Sequence, residues 1–176
     1  MKPKRQYKPG PTDLCQTPPY ALDPILPYLN KNWMWWEPAM GKGNIVNTLA
    51  SREFWIRGTD IENGFDYFDF SPSDWDASIT NPPYSLKFRW LARSIELGKP
   101  FALLVPVEMI GAKSAQDLLK YYHFEIMLLN RRVNFVMPNK GLNGAGAQFP
   151  VMWLCSGILP EKIVFGEINY PKKPKS

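Results

Sequence analysis

Apolar residues along this chain follow two alternating patterns. Short continuous apolar runs, such as residues 101–107, are typical of strands buried on both faces of a sheet. Other segments have helical spacing, and in residues 86–97 Phe88, Leu91 and Ile95 fall on one face. The runs predict strands at residues 33–36, 55–60, 76–80, 101–107, 125–130 and 150–155. The helical segments are residues 43–52, 86–97, 114–122 and a proline-interrupted stretch at 21–29. Strands that alternate with helices predict a mostly parallel α/β sheet.

Length and charge indicate one domain with basic ends. The 176 residues suit a single compact domain. Seven lysines and arginines lie near the termini, and because the whole chain carries only +5, residues 11–169 carry −2. We therefore predict basic flexible tails at residues 1–12 and 170–176 around a catalytic domain at 13–169. Such tails can bind phosphates without sequence preference, or they can serve only to keep the chain in solution.

Composition also narrows the classes of function. No apolar run approaches the roughly 20 residues that span a bilayer, and no apolar segment follows the basic N-terminus as in a secretory signal. The two cysteines, Cys15 and Cys155, and the one histidine, His123, are too few for a zinc site. These features favour a cytoplasmic protein with reduced thiols and no metal, rather than a membrane or secreted protein.

Glycines and carboxylates follow the first two predicted strands. The loop Glu37-Pro-Ala-Met-Gly-Lys-Gly43 comes directly after the first strand, and its glycines allow a tight turn and the close approach of a ligand. Its spacing matches neither the dinucleotide fingerprint nor a P-loop. Asp60 ends the next strand, where a carboxylate can accept both hydroxyls of a ribose. Asp66 follows in Gly64-Phe-Asp-Tyr67, and its carboxylate can accept an adenine amino group.

The most informative motif is Asn81-Pro-Pro-Tyr84, which directly follows a predicted strand. Its two prolines stiffen the loop and remove two backbone donors, so that carbonyl oxygens are held in place as acceptors. The Asn81 side-chain oxygen and the Pro82 carbonyl can together accept both hydrogens of a planar amino group. That nitrogen is drawn toward tetrahedral geometry and exposes a lone pair. The Tyr84 ring would then lie against the base that carries the amino group.

Together these motifs resemble the S-adenosylmethionine-dependent amino-methyltransferases, and most closely the DNA adenine-N6 enzymes of the small phage type with the gamma order of motifs. The resemblance covers roughly residues 13–156. Further segments that carry it are Gln16-Thr-Pro-Pro-Tyr20, the strand at 101–108, Arg131-Arg-Val-Asn-Phe135 and Gly144-Ala-Gly-Ala-Gln-Phe-Pro150.

The resemblance implies a role for each matching residue. Thr17 would bind the methionine carboxylate, Asp60 the ribose and Asp66 the adenine of the cofactor. The expected contacts with S-adenosylmethionine are Thr17, Glu37, Pro38, Gly41, Gly43, Asp60, Ile61, Asp66 and Tyr67. The expected catalytic residues are Asn81, Pro82, Pro83 and Tyr84, and the expected substrate contacts are Lys87, Arg131, Arg132 and Phe135. Asp69 is an alternative to Asp66 as the adenine contact. Asp66 is preferred because Gly64 stands two residues before it, as in the family.

The implied fold is a single Rossmann-like methyltransferase domain, with a mostly parallel seven-stranded sheet and an antiparallel last strand at residues 150–155. The implied reaction transfers a methyl group to N6 of an adenine that is flipped out of DNA, at a cost of a few kcal/mol. The implied setting is the cytoplasm of a bacterium or of a phage-infected cell.

One departure from the family concerns target recognition. About twenty residues follow residue 155, too few for the separate recognition domain of larger DNA methyltransferases. Recognition would then fall to the loop at 136–149, the tails, or the second copy or partner subunit of an oligomer. The alternatives are methylation of RNA bases, methylation of a protein glutamine, or nucleic-acid binding without turnover.

Overall fold

The computed structural model describes residues 13–136 and 149–171. Within these residues the chain forms seven strands and three α-helices, joined by short 3-10 turns. The strands are β1 (Met34–Glu37), β2 (Trp55–Gly58), β3 (Ala77–Thr80), β4 (Phe101–Pro106), β5 (Glu125–Leu129), β6 (Val151–Ser156) and β7 (Ile163–Gly166). The helices are α1 (Asn44–Ser51), α2 (Lys87–Leu97) and α3 (Lys113–Leu119).

The strands form one sheet in the order β2-β1-β3-β4-β6-β5-β7. The strand β6 runs antiparallel to both of its neighbours, and the remaining pairs are parallel. This confirms the predicted α/β class and the antiparallel strand near residues 150–155. That strand is not the last one, however, because β7 follows it and pairs in parallel with β5.

Two local predictions differ from the structure. Residues 21–29 form no α-helix but lie between and within two 3-10 turns, Pro19–Ala21 and Leu26–Tyr28. Prolines break the helical ladder there, since a proline nitrogen has no hydrogen to donate. The helix predicted at residues 114–122 begins at Lys113 and ends at Leu119.

Buried aromatic and aliphatic residues hold both faces of the sheet. Trp35 and Trp36 are neighbours on β1, so they point to opposite faces, and both are fully buried. Trp35 joins the larger core cluster, while Trp36 joins an aromatic cluster with Tyr67, Trp75 and Trp90. Burying one such large apolar side chain, rather than leaving it exposed to water, stabilises the fold by about 1.5–3 kcal/mol.

A buried carboxylate fixes the far side of the sheet. Glu125 on β5 accepts hydrogen bonds from the backbone nitrogens of Gly157, Ile158 and Leu159 at 2.9, 3.2 and 3.3 Å. The exposed His123 lies 2.6 Å from the same carboxylate. These contacts hold the turn after β6 against the start of β5.

The strand order places a topological switch point beside β1. The chain passes from β1 to β2 on one side and then crosses to β3 on the other, so the loops after β1 and β3 leave the sheet in opposite directions. Open α/β sheets bind ligands at such a switch point, at the carboxyl ends of the strands. The glycine loop, Asp60 and the Asn-Pro-Pro-Tyr motif all follow these strands. In the part of the chain that the structure describes, no helix combines the length and apolar character needed to cross a membrane.

Candidate active site

The glycine loop (residues 37–43) turns sharply between β1 and α1. Gly41 and Gly43 have φ angles of 50° and 81°, in the left-handed region that favours glycine. A Cβ atom on Gly41 would lie 2.7 Å from the side-chain nitrogen of Gln16, so no larger residue fits without movement. The Gly43 nitrogen donates to the Met40 carbonyl at 2.7 Å, which closes the turn.

Asp60 links the glycine loop to the end of β2. Its Oδ2 accepts a hydrogen bond from the Gly41 nitrogen at 2.9 Å, and its Oδ1 accepts one from the Glu62 nitrogen at 3.0 Å. A carboxylate has about four acceptor positions, so two bonds leave capacity for ligand hydroxyls. The predicted ribose contact therefore lies beside the glycine loop, as its proposed role requires.

Glu37 is a buried acid at the end of β1. Its side chain is 2% exposed, and Oε2 accepts a hydrogen bond from the Val46 nitrogen of α1 at 3.1 Å. Burial raises the pKa of this carboxyl well above its usual value, and the nearby negative charge of Asp60 raises it further. The Val46 hydrogen bond opposes this rise. The neighbouring Pro38 is also buried.

Thr17 is buried against the start of α1. The residue is only 3% exposed, and its backbone carbonyl accepts a hydrogen bond from the Asn44 side chain at 3.2 Å. The structure therefore brings Thr17 to the helix that follows the glycine loop.

The residues after β2 divide between surface and core. Asp66 is half-buried, and its Oδ1 accepts a hydrogen bond from the Phe68 nitrogen at 3.0 Å. Ile61 and Asp69 are exposed. Tyr67 instead lies in the aromatic cluster, where its hydroxyl is 2.9 Å from Ser94 Oγ. A cofactor contact at Tyr67 would therefore have to use its backbone.

The Tyr67 ring stacks on Trp90 with centroids 4.0 Å apart. Burial raises the pKa of Tyr67 to about 12. These values describe a core tyrosine. The choice between Asp66 and Asp69 as the adenine contact stays open.

The Asn-Pro-Pro-Tyr loop (residues 81–84) carries buried polar atoms without partners. Thr80 Oγ1, Asn81 Oδ1 and the Tyr84 hydroxyl are all buried and make no hydrogen bond with any residue that the structure describes. Leaving a buried polar atom unpaired costs roughly 1–3 kcal/mol, so unpaired atoms on neighbouring residues mark a position where a ligand can supply the partners. In the described residues, the fourth such atom is Nε1 of Trp90, on the helix that follows.

Tyr84 lies among aromatic side chains. Its ring is 9% exposed, with Phe135 edge-on at a centroid distance of 6.2 Å and Phe149 tilted at 5.7 Å. Burial raises the pKa of the Tyr84 hydroxyl well above its usual value, and the nearby Cys15 and Glu108 add to this rise.

The ring geometry limits how a base can be held at this position. Two rings that sandwich a base lie parallel and about 7 Å apart, twice the usual contact distance between carbon atoms. Tyr84 and Phe135 meet at an interplanar angle of 80° instead. The structure thus brings Phe135 to Tyr84, but one of the rings must turn before a base fits between them.

Of the predicted basic contacts, Lys87 touches this loop, and the two arginines pack against Tyr170. Lys87 Nζ donates to the Tyr84 carbonyl at 3.3 Å. Arg131 and Arg132 are exposed after β5, with the Arg131 guanidinium over the Tyr170 ring at 5.4 Å. The Tyr170 hydroxyl donates to the Arg132 carbonyl at 2.6 Å, so packed contacts extend to residue 170. Residues 1–12, 137–148 and 172–176, which include most of both predicted tails and of the proposed recognition loop, lie outside the described residues.

Two site neighbours were missed by the sequence analysis. Asp13 accepts hydrogen bonds from Ser85, directly after the Asn-Pro-Pro-Tyr loop, and Phe149 packs on Tyr84. Nothing in the local pattern around Asp13 marks it, because its partner lies 72 residues away. Among the described residues, no group of three or more His, Cys, Asp or Glu could hold a metal ion.

Known structures, but no family model or curated sequence, resemble this chain. No protein-family model matches this chain, and no curated protein sequence matches it either. A proposed RNA methyltransferase from Pyrococcus horikoshii aligns with 80% of this chain and 79% of its own, at 11% identity and a TM-score of 0.47. A predicted O-methyltransferase from Agrobacterium tumefaciens aligns with 85% of this chain and 84% of its own, at 12% identity and a TM-score of 0.51.

The second alignment and the strand order give the chain a methyltransferase-type α/β fold. At 12% identity the likeness extends to the fold alone. The roles predicted for individual residues therefore stay predictions.

Proposed function

We propose that this chain transfers a methyl group from S-adenosylmethionine to the N6 amino group of adenine in DNA. The observation that carries the proposal is the buried Oδ1 of Asn81, which has no hydrogen-bond partner among the described residues, as is also true of Thr80 Oγ1 and the Tyr84 hydroxyl. Thr80 ends β3 and the other two residues follow it, across the switch point from the glycine loop. They supply an acceptor where an amino group would need one.

The residues after β1 and β2 fit the proposed cofactor. Gly41 adds no side chain beside the Asp60 carboxylate that its nitrogen contacts, which suits a ribose with two hydroxyls. Glu37 places a second carboxyl near Asp60, and a bound cation would favour its ionised form. When bound, S-adenosylmethionine supplies an activated methyl group on a positively charged sulfur.

Asn81 and Pro82 would act on the amino group of the target. The Asn81 side-chain oxygen and the Pro82 carbonyl accept its two hydrogens, so the nitrogen loses conjugation with the ring and its lone pair becomes available. The protein therefore contributes alignment and electrostatic stabilisation. Because these hydrogen bonds strengthen as the nitrogen becomes nucleophilic, they accelerate the reaction more than they increase substrate affinity.

Tyr84 supports the choice of a base as the target. An adenine paired inside a duplex keeps its amino group occupied, so it must leave the stack. Stacking on an aromatic side chain returns roughly 1–3 kcal/mol per base. The aromatic group of Tyr84, Phe135 and Phe149 offers such a surface after one ring turns.

The test compares Asn81→Ala with the wild type on several substrates. Purified protein is incubated with labelled S-adenosylmethionine and, separately, duplex DNA, single-stranded DNA, tRNA and total cell protein. We expect label on adenine N6 of DNA with the wild type, and a loss of turnover of at least about 100-fold in Asn81→Ala, in line with removal of one transition-state hydrogen-bonding group. Cofactor affinity, measured by calorimetry, should change little.

Asn32→Ala is the matched control, because Asn32 is exposed and lies before β1, at the opposite edge of the sheet. If label appeared only on tRNA, or only on glutamine in protein, that molecule and not DNA would be the substrate. Wild-type turnover by Asn81→Ala on every substrate would overturn the amino-methyltransferase assignment.

A further inference from the structure

Residues 13–17, called here the bridging segment, cross the carboxyl edge of the sheet. Gln16 and Val136 exchange two backbone hydrogen bonds of 2.9 Å, which hold the segment against the chain after β5. The Gln16 side chain reaches the other way, and its Oε1 accepts from the Lys42 nitrogen at 3.0 Å. The bridging segment thus contacts the glycine loop directly.

Asp13 connects the same segment to the catalytic loop. Its Oδ1 accepts from the Ser85 nitrogen at 3.2 Å and its Oδ2 from Ser85 Oγ at 2.7 Å. Ser85 directly follows Tyr84, at the start of a 3-10 turn whose first nitrogens have no partner within the turn. Pro82 and Pro83 have no backbone hydrogen to donate, so the loop offers few donors by which it can be held. Asp13 accepts hydrogen bonds from the backbone nitrogen and the hydroxyl of Ser85, the first residue after the loop.

We propose that Asp13 is a positioning residue for the Asn-Pro-Pro-Tyr loop, and that the bridging segment couples this loop to the glycine loop. This inference rests on the proposed function. A ligand that orders the glycine loop fixes Lys42 and therefore Gln16, which favours the Asp13–Ser85 contact. Coupling of two sites is reciprocal, so a bound target base raises cofactor affinity by the same factor, typically about 5–150-fold.

The contacts of Gln16 on both sides support the coupling. Its backbone pairs with Val136, the residue after Phe135, and Phe135 meets the Tyr84 ring. Its side-chain nitrogen lies 2.7 Å from the position that a Cβ on Gly41 would take. A shift of the glycine loop therefore displaces the Gln16 side chain, because there is no free space between them.

Kinetics of Asp13 variants provide the first test. Asp13→Ala removes both acceptors of Ser85, and we expect kcat to fall on the order of 10-fold while the cofactor Kd changes less than 3-fold, since the variant lacks a hydrogen bond to a charged group. Asp13→Asn keeps one acceptor and should restore part of kcat. The control is Asp23→Ala, which removes an aspartate of the same region whose partner is Arg52, 3.5 Å away at the surface.

Amide hydrogen exchange at Ser85 provides a test that needs no turnover. S-adenosylhomocysteine, the demethylated product, should slow exchange at Ser85 in the wild type but not in Asp13→Ala or Gln16→Ala. Ser85→Ala, which keeps the backbone nitrogen and removes only the hydroxyl, should show an intermediate response. Thermal melting of each variant checks that it is folded.

The two proposals fail in different ways. If the wild type transfers methyl groups but the Ser85 amide exchanges equally in the wild type and Asp13→Ala, with and without S-adenosylhomocysteine, the inference is wrong and the proposed function stands. If the wild type modifies no substrate yet Asp13→Ala still speeds exchange at Ser85, the proposed function is wrong and only the positioning contact survives.

Discussion

The carboxyl of Glu37 combines deep burial with a position beside the proposed cofactor pocket. Burial raises its pKa well above the usual value, so the free protein holds a proton there at a pH where an exposed glutamate is ionised. A cation bound nearby favours the ionised form. Binding of S-adenosylmethionine should therefore release this proton, and its affinity should increase as pH rises, by at most about tenfold per pH unit. Calorimetry at several pH values, in two buffers with different ionisation enthalpies, measures both effects.

Glu37→Gln is the variant that isolates this group, because glutamine cannot ionise. Its affinity for S-adenosylmethionine should be lower and nearly independent of pH. The free energy of unfolding should follow the opposite trend in the wild type: stability falls as pH rises from the ordinary value of 4.5 toward the raised pKa, because the native state keeps a proton that the unfolded chain loses. If the affinity for S-adenosylmethionine had the same pH dependence in the wild type and in Glu37→Gln, Glu37 would not belong to the site.

The hydroxyl of Tyr84 is buried and has no partner in the described part of the chain, whereas its ring is packed. Tyr84→Phe should therefore raise the free energy of unfolding by about 1 kcal/mol, since an unpaired polar atom is removed. Turnover should change only a few-fold because the ring is kept. Tyr84→Ala should lose about 3–5 kcal/mol of stability and most of the turnover. Urea unfolding and initial rates measure the two properties separately.

Tyr67→Phe is the matched control for this prediction. Its hydroxyl is also buried but is 2.9 Å from Ser94 Oγ, so its removal should lower stability by about 1 kcal/mol. A severe loss of turnover in Tyr84→Phe would show instead that a ligand uses the Tyr84 hydroxyl.

At the scale of elements, the sequence predicts a strand best where its side chains are buried on both faces. Every residue of β4 is buried, and its continuous apolar run is readable without other information. The strand β7 was missed because it is four residues long at the sheet edge, with Ile163 50% and Phe165 80% exposed. Such a strand exists because β5 offers it a partner, and local sequence does not encode that partner.

The position of the loops that carry the candidate site was predictable for a related reason. Loops that follow strands of a parallel sheet meet at one edge, so residues 37–43, Asp60 and residues 81–84 could be placed together from the strand ends alone. The bridge between Asp13 and Ser85 could not, because it depends on how distant segments cross that edge. Tyr67 was predicted as a cofactor contact but lies in the core. An aromatic residue in the sequence looks the same whether its side chain faces the core or a ligand.

At the scale of the whole molecule, charge is divided along the carboxyl edge. Acidic side chains follow β2, and they are Asp60, Glu62, Asp66 and Asp69. Basic side chains follow β3 and β5, and they include Lys87, Arg131 and Arg132. The acidic residues after β2 suit a cationic cofactor, and the basic residues after β3 and β5 suit a polyanion. A nucleic-acid partner is thus consistent with the proposed function, and a second subunit that reads sequence stays a prediction.

The sequence places seven further basic residues near its two ends. Lys2, Lys4, Arg5, Lys8, Lys172, Lys173 and Lys175 outweigh a body that carries −2. If they bind phosphates, replacing all seven with glutamine should weaken DNA binding and flatten its salt dependence, by about 0.9 in the log–log slope for each phosphate that is no longer neutralised. Cofactor affinity should not change, because most of the residues proposed to bind the cofactor follow β1 and β2. Titrations of duplex DNA at several salt concentrations measure the slope, and a variant with the same tail residues in shuffled order controls for composition. Equal slopes for the wild type and the glutamine variant would mean that the tails only keep the protein in solution, and that Lys87, Arg131 and Arg132 have to neutralise the phosphates instead.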